Sequence, residues 1–211
     1  MVVCQIGGQM KIHIYIGTIL LTIAMLAFAA ILIFWKPGKK TKYRFVRLSL
    51  GNLLIHLTDG LVTYMNTPDL KREANPLVSR LGLGWGALFG ANLIILIFIV
   101  LCAWCFCRYE HIHLEAAGMF DYFMKLLHGE GYKPIWFWYK TPSNRRSMCA
   151  ISGYGLYWGL TAGALVPVIG WILVMLDAHP SWWNSMWISY GVGIVVCFSC
   201  MYKWTRDGYR S

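Results

Sequence analysis

The apolar positions of the chain fall into five long runs. They cover residues 12–35, 47–66, 84–107, 153–176 and 185–202. Each is long enough for a helix to cross a hydrocarbon layer of roughly 30 Å, and none alternates apolar and polar residues as a barrel strand does. Since backbone polar groups must be satisfied inside lipid, the pattern predicts an all-α, polytopic membrane helix bundle of five transmembrane helices, forming a single domain over residues 1–211.

Composition and charge add an orientation to this bundle. Hydrophobic residues make up 58% of the 211 positions and charged residues 13%, with a formal net charge of +10. The basic residues gather after the first run, between the third and fourth, and after the fifth. Because basic loops resist translocation, we expect an outside N-terminus and a cytoplasmic C-terminus. The basic face would meet anionic headgroups of a prokaryotic cytoplasmic membrane, and the charge requires no nucleic-acid partner.

The cytoplasmic connection, residues 108–151, is predicted to lie at the membrane interface. Its stretch AAGMFDYFMKLL gives a helix one apolar face, made by Met119, Phe120, Phe123, Met124 and Leu127. The stretch YKPIWFWYK then combines aromatic rings with lysines, as is typical of the headgroup layer. We expect membrane anchoring here. The alternative is a docking surface for a membrane-protein partner.

Helix signals also mark the first outer loop, residues 67–83. Thr67 before Pro68, and Asn75 before Pro76, each place a capping residue ahead of a proline at the first helical position. We therefore expect two short surface helices. The second outer loop, DAHPSWWN, adds His179 on the same side of the membrane.

One face of the second run is polar. At about 100° per residue, a sector about 100° wide holds Ser49, Asn52, His56, Asp59, Thr63 and Asn66, which we call the polar stripe. At ~1.5 Å per residue from Thr67, Asp59 lies about 12 Å and His56 about 16 Å below the outer surface. Since an ionisable group at such depth costs at least ~2.5–3.5 kcal/mol, it persists mainly where it faces protein or water. We therefore expect Asp59 to face the bundle interior.

The stripe and the loops above it suggest a site. Asp59, His56 and Glu73 are candidate catalytic residues, and with His179 they are candidate ligands of a divalent metal ion, because carboxylates and imidazoles suit hard or borderline cations or acid–base work on water. Candidate supporting residues, which would orient these groups, are Asn52, Thr63, Asn75 and Asn92. The alternative interpretation is that the stripe only fixes helix packing.

A local pattern resembles a known family. Asp59 and Thr63, followed by Glu73-x-Asn75-Pro76, are similar to the Asp, Thr, Glu-x-Asn-Pro pattern in a family of small uncharacterised prokaryotic membrane proteins. The resemblance covers about residues 50–95. It implies that Asp59, Glu73 and Asn75 belong together, and it supplies no chemistry.

Two further groups of residues are weaker candidates. Cys102 and Cys105 with Cys197 and Cys200 form two i,i+3 pairs that could hold zinc or an iron–sulfur centre, although buried cysteine commonly acts as a small hydrophobe. The stretch YEHIHLEA is expected to be a solvated helix start. The sequence contains no His-Glu-x-x-His, Gly-x-Ser-x-Gly or phosphate-loop motif.

Three functions remain open at this point. The first is a membrane-embedded site that binds a cation or activates water against a lipid-borne or membrane-inserted substrate. The second is a non-catalytic subunit of a larger membrane complex, in which small residues such as GLTAGAL at 159–165 allow close helix packing. The third is a small transporter or proton-coupled carrier that uses Asp59 and His56 as a relay.

Overall fold

The computed structural model describes residues 2–34, 41–73, 75–178 and 186–210, and within these ranges it contains helices and no strand. The helices are α1 Val2–Phe34, α2 Thr41–Asn66, α3 Pro76–Ser79, α4 Trp85–Cys107, α5 Met119–His128, α6 Trp136–Tyr139, α7 Arg145–Met175 and α8 Met186–Arg210. The all-α prediction is confirmed.

Three of the described helices are long and apolar enough to cross a membrane. They contain the segments Ile16–Phe34, Trp85–Cys107 and Arg145–Met175. α2, with 26 residues, and α8, with 25, are of similar length. Both are less apolar, since α2 carries the polar stripe and α8 ends in a charged turn.

The five long helices alternate in direction. Ring contacts pair Phe45 with Trp104 and Tyr64 with Trp85, so α2 and α4 are antiparallel. α2 packs in the same way against α1, and α7 against α4 and α8. α2 and α7 run in parallel and contact each other directly. One end of the bundle, the basic end, therefore gathers the starts of α2 and α7 and the ends of α1, α4 and α8; the opposite end, which carries α3, is the loop end.

Glycines let α7 and α8 cross closely. A Cβ atom added to Gly159 would lie 2.5 Å from the Gly193 carbonyl oxygen, and one added to Gly155 would lie 2.8 Å from the Cys197 carbonyl oxygen. Both distances are too short for any side chain larger than hydrogen. The small-residue face anticipated from the sequence is thus occupied by a helix of the same chain.

The predicted spans and the observed helices differ mainly at polar turns. α7 begins at Arg145, eight residues before the predicted span, because Asn144 caps it by accepting a hydrogen bond from the Ser147 N–H at 3.2 Å. Such a turn is helical without being apolar enough to lie in lipid. The predicted solvated helix start at residue 110 is wrong, since residues 109–116 are not helical.

The interfacial helix forms as α5, with a different orientation from the one expected. Met124 and Leu127 are buried, and Tyr122 and Leu126 join the core beneath them. Phe120 remains 53% exposed. α5 packs on α7 and α8, so part of its apolar face covers the basic end of the bundle instead of facing lipid.

One of the two short surface helices in the loop is confirmed. α3 begins at Pro76 and is capped by Asn75. The helix expected after Thr67 is wrong, because residues 68–72 form turns. There the Thr67 hydroxyl accepts a hydrogen bond from the Arg72 N–H at 3.2 Å instead of capping a helix.

Candidate functional site

Buried polar atoms without partners follow one another along α2. Within the described part of the chain, no hydrogen bond reaches Ser49 Oγ, Asn52 Nδ2, His56 Nδ1 and Nε2, or Asp59 Oδ1. From Ser49 to Asp59 this row extends about 15 Å along the helix axis. An unpaired buried polar atom costs roughly 1–3 kcal/mol, and most such atoms in folded proteins are paired. A concentration of them on one helix face is therefore the strongest indication of a site.

The polar stripe lies at the edge of the buried face of α2. Asn52 and Thr63 are buried, whereas His56 and Asp59 are half-buried with the polar atoms named above turned inward. The middle of the buried face of α2 is formed by Ile55 and Val62, which are 3% and 0% exposed. The stripe thus borders both the bundle interior and its outer surface.

Sequence reasoning missed Thr58, which is fully buried but lies outside the stripe. Its hydroxyl donates to the Leu54 carbonyl oxygen at 2.7 Å, one turn earlier in α2. The group is therefore satisfied within its own helix. No pattern of polar spacing would have found it, because its position depends on how far α2 is rotated against its neighbours.

A hydrogen-bond network fixes the inner end of the stripe to α7. The Thr161 hydroxyl lies 3.0 Å from Asn52 Oδ1 and 2.6 Å from the Tyr157 carbonyl oxygen, and its single proton serves both acceptors. The Tyr157 hydroxyl donates to the Leu48 carbonyl oxygen at 3.0 Å. Asn52 is therefore a positioning residue. Its amide oxygen is bound by Thr161 of α7, whereas its amide nitrogen has no partner among the described residues.

At the loop end, the Glu-x-Asn-Pro segment places Glu73 over α2. Glu73 Oε1 accepts from the Asn75 N–H at 2.9 Å, and Asn75 Oδ1 accepts from the Leu77 N–H at 3.0 Å. The carboxyl groups of Glu73 and Asp59 lie within electrostatic range of each other. Asn75 thus caps α3 and orders Glu73, whose charge lies on the same side of the bundle as the outer end of the stripe.

An unusual backbone conformation precedes Glu73. Leu70 has a φ of 58° and a side chain only 6% exposed. A bulky residue in this left-handed region carries strain of about 1–3 kcal/mol. In the turn that begins at Leu70, the Glu73 N–H donates a hydrogen bond to the Leu70 carbonyl oxygen at 3.1 Å. The positive φ of Leu70 therefore belongs to the turn that leads into Glu73.

The register of α4 places Asn92 at the depth of the stripe. The ring pairs Phe45–Trp104 and Tyr64–Trp85 fix the antiparallel register, and at ~1.5 Å per residue Asn92 is level with about residue 57 of α2. Its side chain is half-buried. Trp85 Nε1 donates to the Pro68 carbonyl oxygen at 2.8 Å and ties the loop to α4.

The predicted metal ligands do not form a complete set among the described residues. No group of three or more His, Cys, Asp or Glu side chains there could hold a metal ion. Asp59 and Glu73 lie within electrostatic range of each other, His56 lies about one turn from Asp59 on the same helix, and His179 lies outside the described residues. Cys102, Cys105, Cys197 and Cys200, which are all described, likewise do not form such a group.

His111, part of the YEHIHLEA stretch, packs into the basic end instead of binding a ligand. Its ring lies 4.3 Å from the Trp204 ring, centroid to centroid. Burial, the largest effect, lowers the pKa of His111. His111 therefore acts as a packing group at this end of the bundle, through its ring contact with Trp204.

No family model, curated protein or solved structure matches the chain. The resemblance around residues 50–95 therefore stays a prediction.

Proposed function

We propose that all five long helices cross the bilayer, with the N-terminus and loop end outside and the basic end in the cytoplasm. The alternating directions of α1, α2, α4, α7 and α8 support this arrangement, because a helix packed along a spanning neighbour of similar length covers the same depth. The basic residues that follow α4 and those in the last two turns of α8 lie at one end and support the orientation.

Within this bundle, we propose that the α2 stripe binds a small cationic or hydrogen-bonding group, carried by a lipid or by another membrane-inserted substrate. The observation that carries the proposal is the row of buried, unpartnered polar atoms ending at His56 and Asp59. A cation or an N–H donor offsets the cost of the Asp59 carboxylate, and the same residues can exchange a proton with it. Glu73 would lie at the outer opening of this binding site.

A bound group of this kind fits the residues better than a resident divalent metal ion. A stable protein metal site uses three or more side-chain ligands, and the described residues do not assemble them. Asp59 and His56 with Glu73 remain the residues that a metal would use. Asn52 and Thr63 would orient them, and Asn75 would order Glu73.

The experiment is thermal unfolding of the full chain in phosphatidylcholine nanodiscs, with three separate probes. These are Zn²⁺, Mg²⁺ and phosphatidylethanolamine, whose headgroup carries a primary ammonium. A probe present at 100 times its Kd stabilises by about 2.7 kcal/mol. We expect at least one probe to raise the Tm of the wild type and of Asp69→Asn, and to leave the Tm of Asp59→Asn unchanged. Asp69 is a suitable control because it is an exposed loop carboxylate.

A response of Asp59→Asn equal to that of the wild type for every probe would remove the proposal. A response to Zn²⁺ alone that is lost in both Asp59→Asn and Glu73→Gln would identify a metal ion as the ligand.

A proton-coupled carrier is a second candidate, favoured by the length of the row. The unpartnered atoms continue from Asp59 through His56 and Asn52 to Ser49, toward the basic end. A carrier would move protons into proteoliposomes, and Asn52→Leu would interrupt the row and stop that flux. An accessory subunit loses support, because the glycine face of α7 packs on α8 within the same chain.

We infer that the basic end rests on anionic lipid headgroups through the segment around α6. Trp138 and Tyr139 are 82% and 69% exposed, and Lys140 Nζ lies 3.2 Å above the Trp136 ring centroid. Rings flanked by lysines suit the headgroup layer. After delipidation, native mass spectrometry should find fewer phosphatidylglycerol molecules on Lys133→Gln/Lys140→Gln than on the wild type or on Lys71→Gln at the loop end; equal retention would contradict the inference.

A further inference from the structure

Two thiols from different helices meet near the basic end. Cys105 lies in the last turn of α4 and Cys149 in the second turn of α7. Their thiols lie close enough to interact with each other, and neither cysteine is in a disulfide. Cys149 is exposed and Cys105 is half-buried. The pair therefore has one member that solvent reagents can reach and one that is sheltered against α7.

The helix crossing explains why these two thiols are close. Gly153 follows Cys149 by one turn on the same face of α7. A Cβ atom added to Gly153 would lie 3.2 Å from Cys105 Cβ and 2.9 Å from the Cys102 carbonyl oxygen. α4 therefore lies directly on the backbone of α7 at this point, and Cys105 faces the surface from which Cys149 projects.

Aromatic contacts hold this crossing in register. The Phe106 ring, next to Cys105 in α4, lies 5.2 Å from Tyr154 and 5.5 Å from Tyr157, both in α7. These edge-to-face contacts are made by buried or half-buried side chains. The relative position of the two cysteines is thus set by the core and not by a mobile surface segment.

The chemistry available to two adjacent thiols is a disulfide, which needs no third residue. A metal centre is a poorer fit, because the described residues include no group of three suitable ligands. We propose that Cys105 and Cys149 form a reversible disulfide that links α4 to α7. This modification site is independent of the α2 stripe, and its test neither uses nor requires the function proposed above.

The reaction proceeds by thiol–disulfide exchange with a low-molecular-weight disulfide such as oxidised glutathione. The exposed Cys149 thiolate attacks one sulfur of the reagent, which forms a mixed disulfide and releases one glutathione thiolate. The Cys105 thiolate then attacks Cys149 Sγ, which forms the Cys105–Cys149 bond and releases the second thiolate. Two electrons pass to the reagent, and the two thiol protons are taken up by the two released thiolates.

The experiment uses the full chain in nanodiscs, treated with oxidised glutathione and analysed by intact mass and peptide mapping. We expect the wild type to lose two hydrogens, to yield a linked Cys105–Cys149 peptide, and to return to its starting mass with dithiothreitol. Cys105→Ser should instead accumulate a stable glutathione adduct at Cys149. Cys200→Ser is the matched control and should still form the link.

Two results would overturn the proposal. One is a wild type that retains the glutathione adduct at Cys149 as stably as Cys105→Ser does. The other is a link that joins Cys149 to a different cysteine. Equal Tm values for the reduced wild type and both serine variants would show that these outcomes reflect thiol chemistry and not misfolding.

Discussion

At the scale of single residues, Asp59 and His56 are the two ionisable side chains in the row of unpartnered atoms on the polar stripe of α2. Thr58, Thr161 and Tyr157 each reach a backbone carbonyl oxygen within hydrogen-bonding distance. His56 has neither ring nitrogen paired, and Asp59 has Oδ1 unpaired, within the described residues. A fold selected for stability alone would satisfy or replace such groups, which is why we assign them to a ligand.

Replacing Asp59 by leucine should therefore stabilise the fold while removing the site. Removing the buried, unpartnered carboxylate should raise the free energy of unfolding by about 1–3 kcal/mol. Thr161→Val is the matched comparison, because it removes the donor to Asn52 Oδ1 and should lower the same quantity by about 1 kcal/mol. Denaturant titration in micelles measures both. If Asp59→Leu were destabilised as much as Thr161→Val, Asp59 would have a structural partner, which contradicts the ligand assignment.

A carboxylate outside the membrane should give the fold an acid limit. The Ala117 N–H, the largest effect, and then the Tyr132 hydroxyl hold the pKa of Asp121 below its ordinary value. Because the folded pKa is depressed, this stabilisation is present above the unfolded value of about 3.9 and is lost as the pH falls through the folded pKa. The wild type should thus exceed Asp121→Asn in stability at neutral pH.

Unfolding of both proteins as a function of pH checks this prediction. The difference between them should shrink as the pH falls below about 4. A difference that is constant with pH would mean that Asp121 acts through hydrogen-bond geometry alone and not through its charge.

At the scale of elements, the α7–α8 crossing depends on glycine. Gly159→Ala would place a methyl group against the Gly193 carbonyl oxygen, and we expect it to lower the free energy of unfolding by about 1–3 kcal/mol. Gly86, in α4, has nothing within 4 Å of an added Cβ. Gly86→Ala should be neutral or stabilising by up to about 1 kcal/mol, because alanine favours helix. Opposite signs in the same unfolding assay support the crossing, and equal losses would contradict it.

The elements also show what the sequence could predict. Each of the five predicted apolar runs lies largely within a long helix, and three of these helices are long and apolar enough to cross a membrane. The rotation of α2 about its own axis could not be predicted from length and composition. Ile55 and Val62 are core residues and the stripe lies at the edge, and this follows from contacts such as Asn52 with Thr161, which are distant in sequence. The turn at Leu70 was missed because no spacing rule predicts a leucine with positive φ.

At the scale of the whole molecule, the proposed orientation decides from which side of the membrane the proposed site would be reached. Two variants would be made in a protein whose seven native cysteines have been replaced. Arg80→Cys would report the accessibility of the loop end, and Ser143→Cys would report that of the basic end. On intact cells, a membrane-impermeant maleimide should label Arg80→Cys and should label Ser143→Cys only after permeabilisation. The reverse pattern would place the Asp59 opening in the cytoplasm.

The most direct test of the ligand site is a crystal structure of the chain grown from a lipidic mesophase. We predict non-protein density within hydrogen-bonding distance of Asp59 Oδ1 and of one His56 ring nitrogen, and no such density in the Asp59→Leu variant. An Asp59 side chain directed at acyl chains, or paired with a residue of a neighbouring helix, would contradict the assignment.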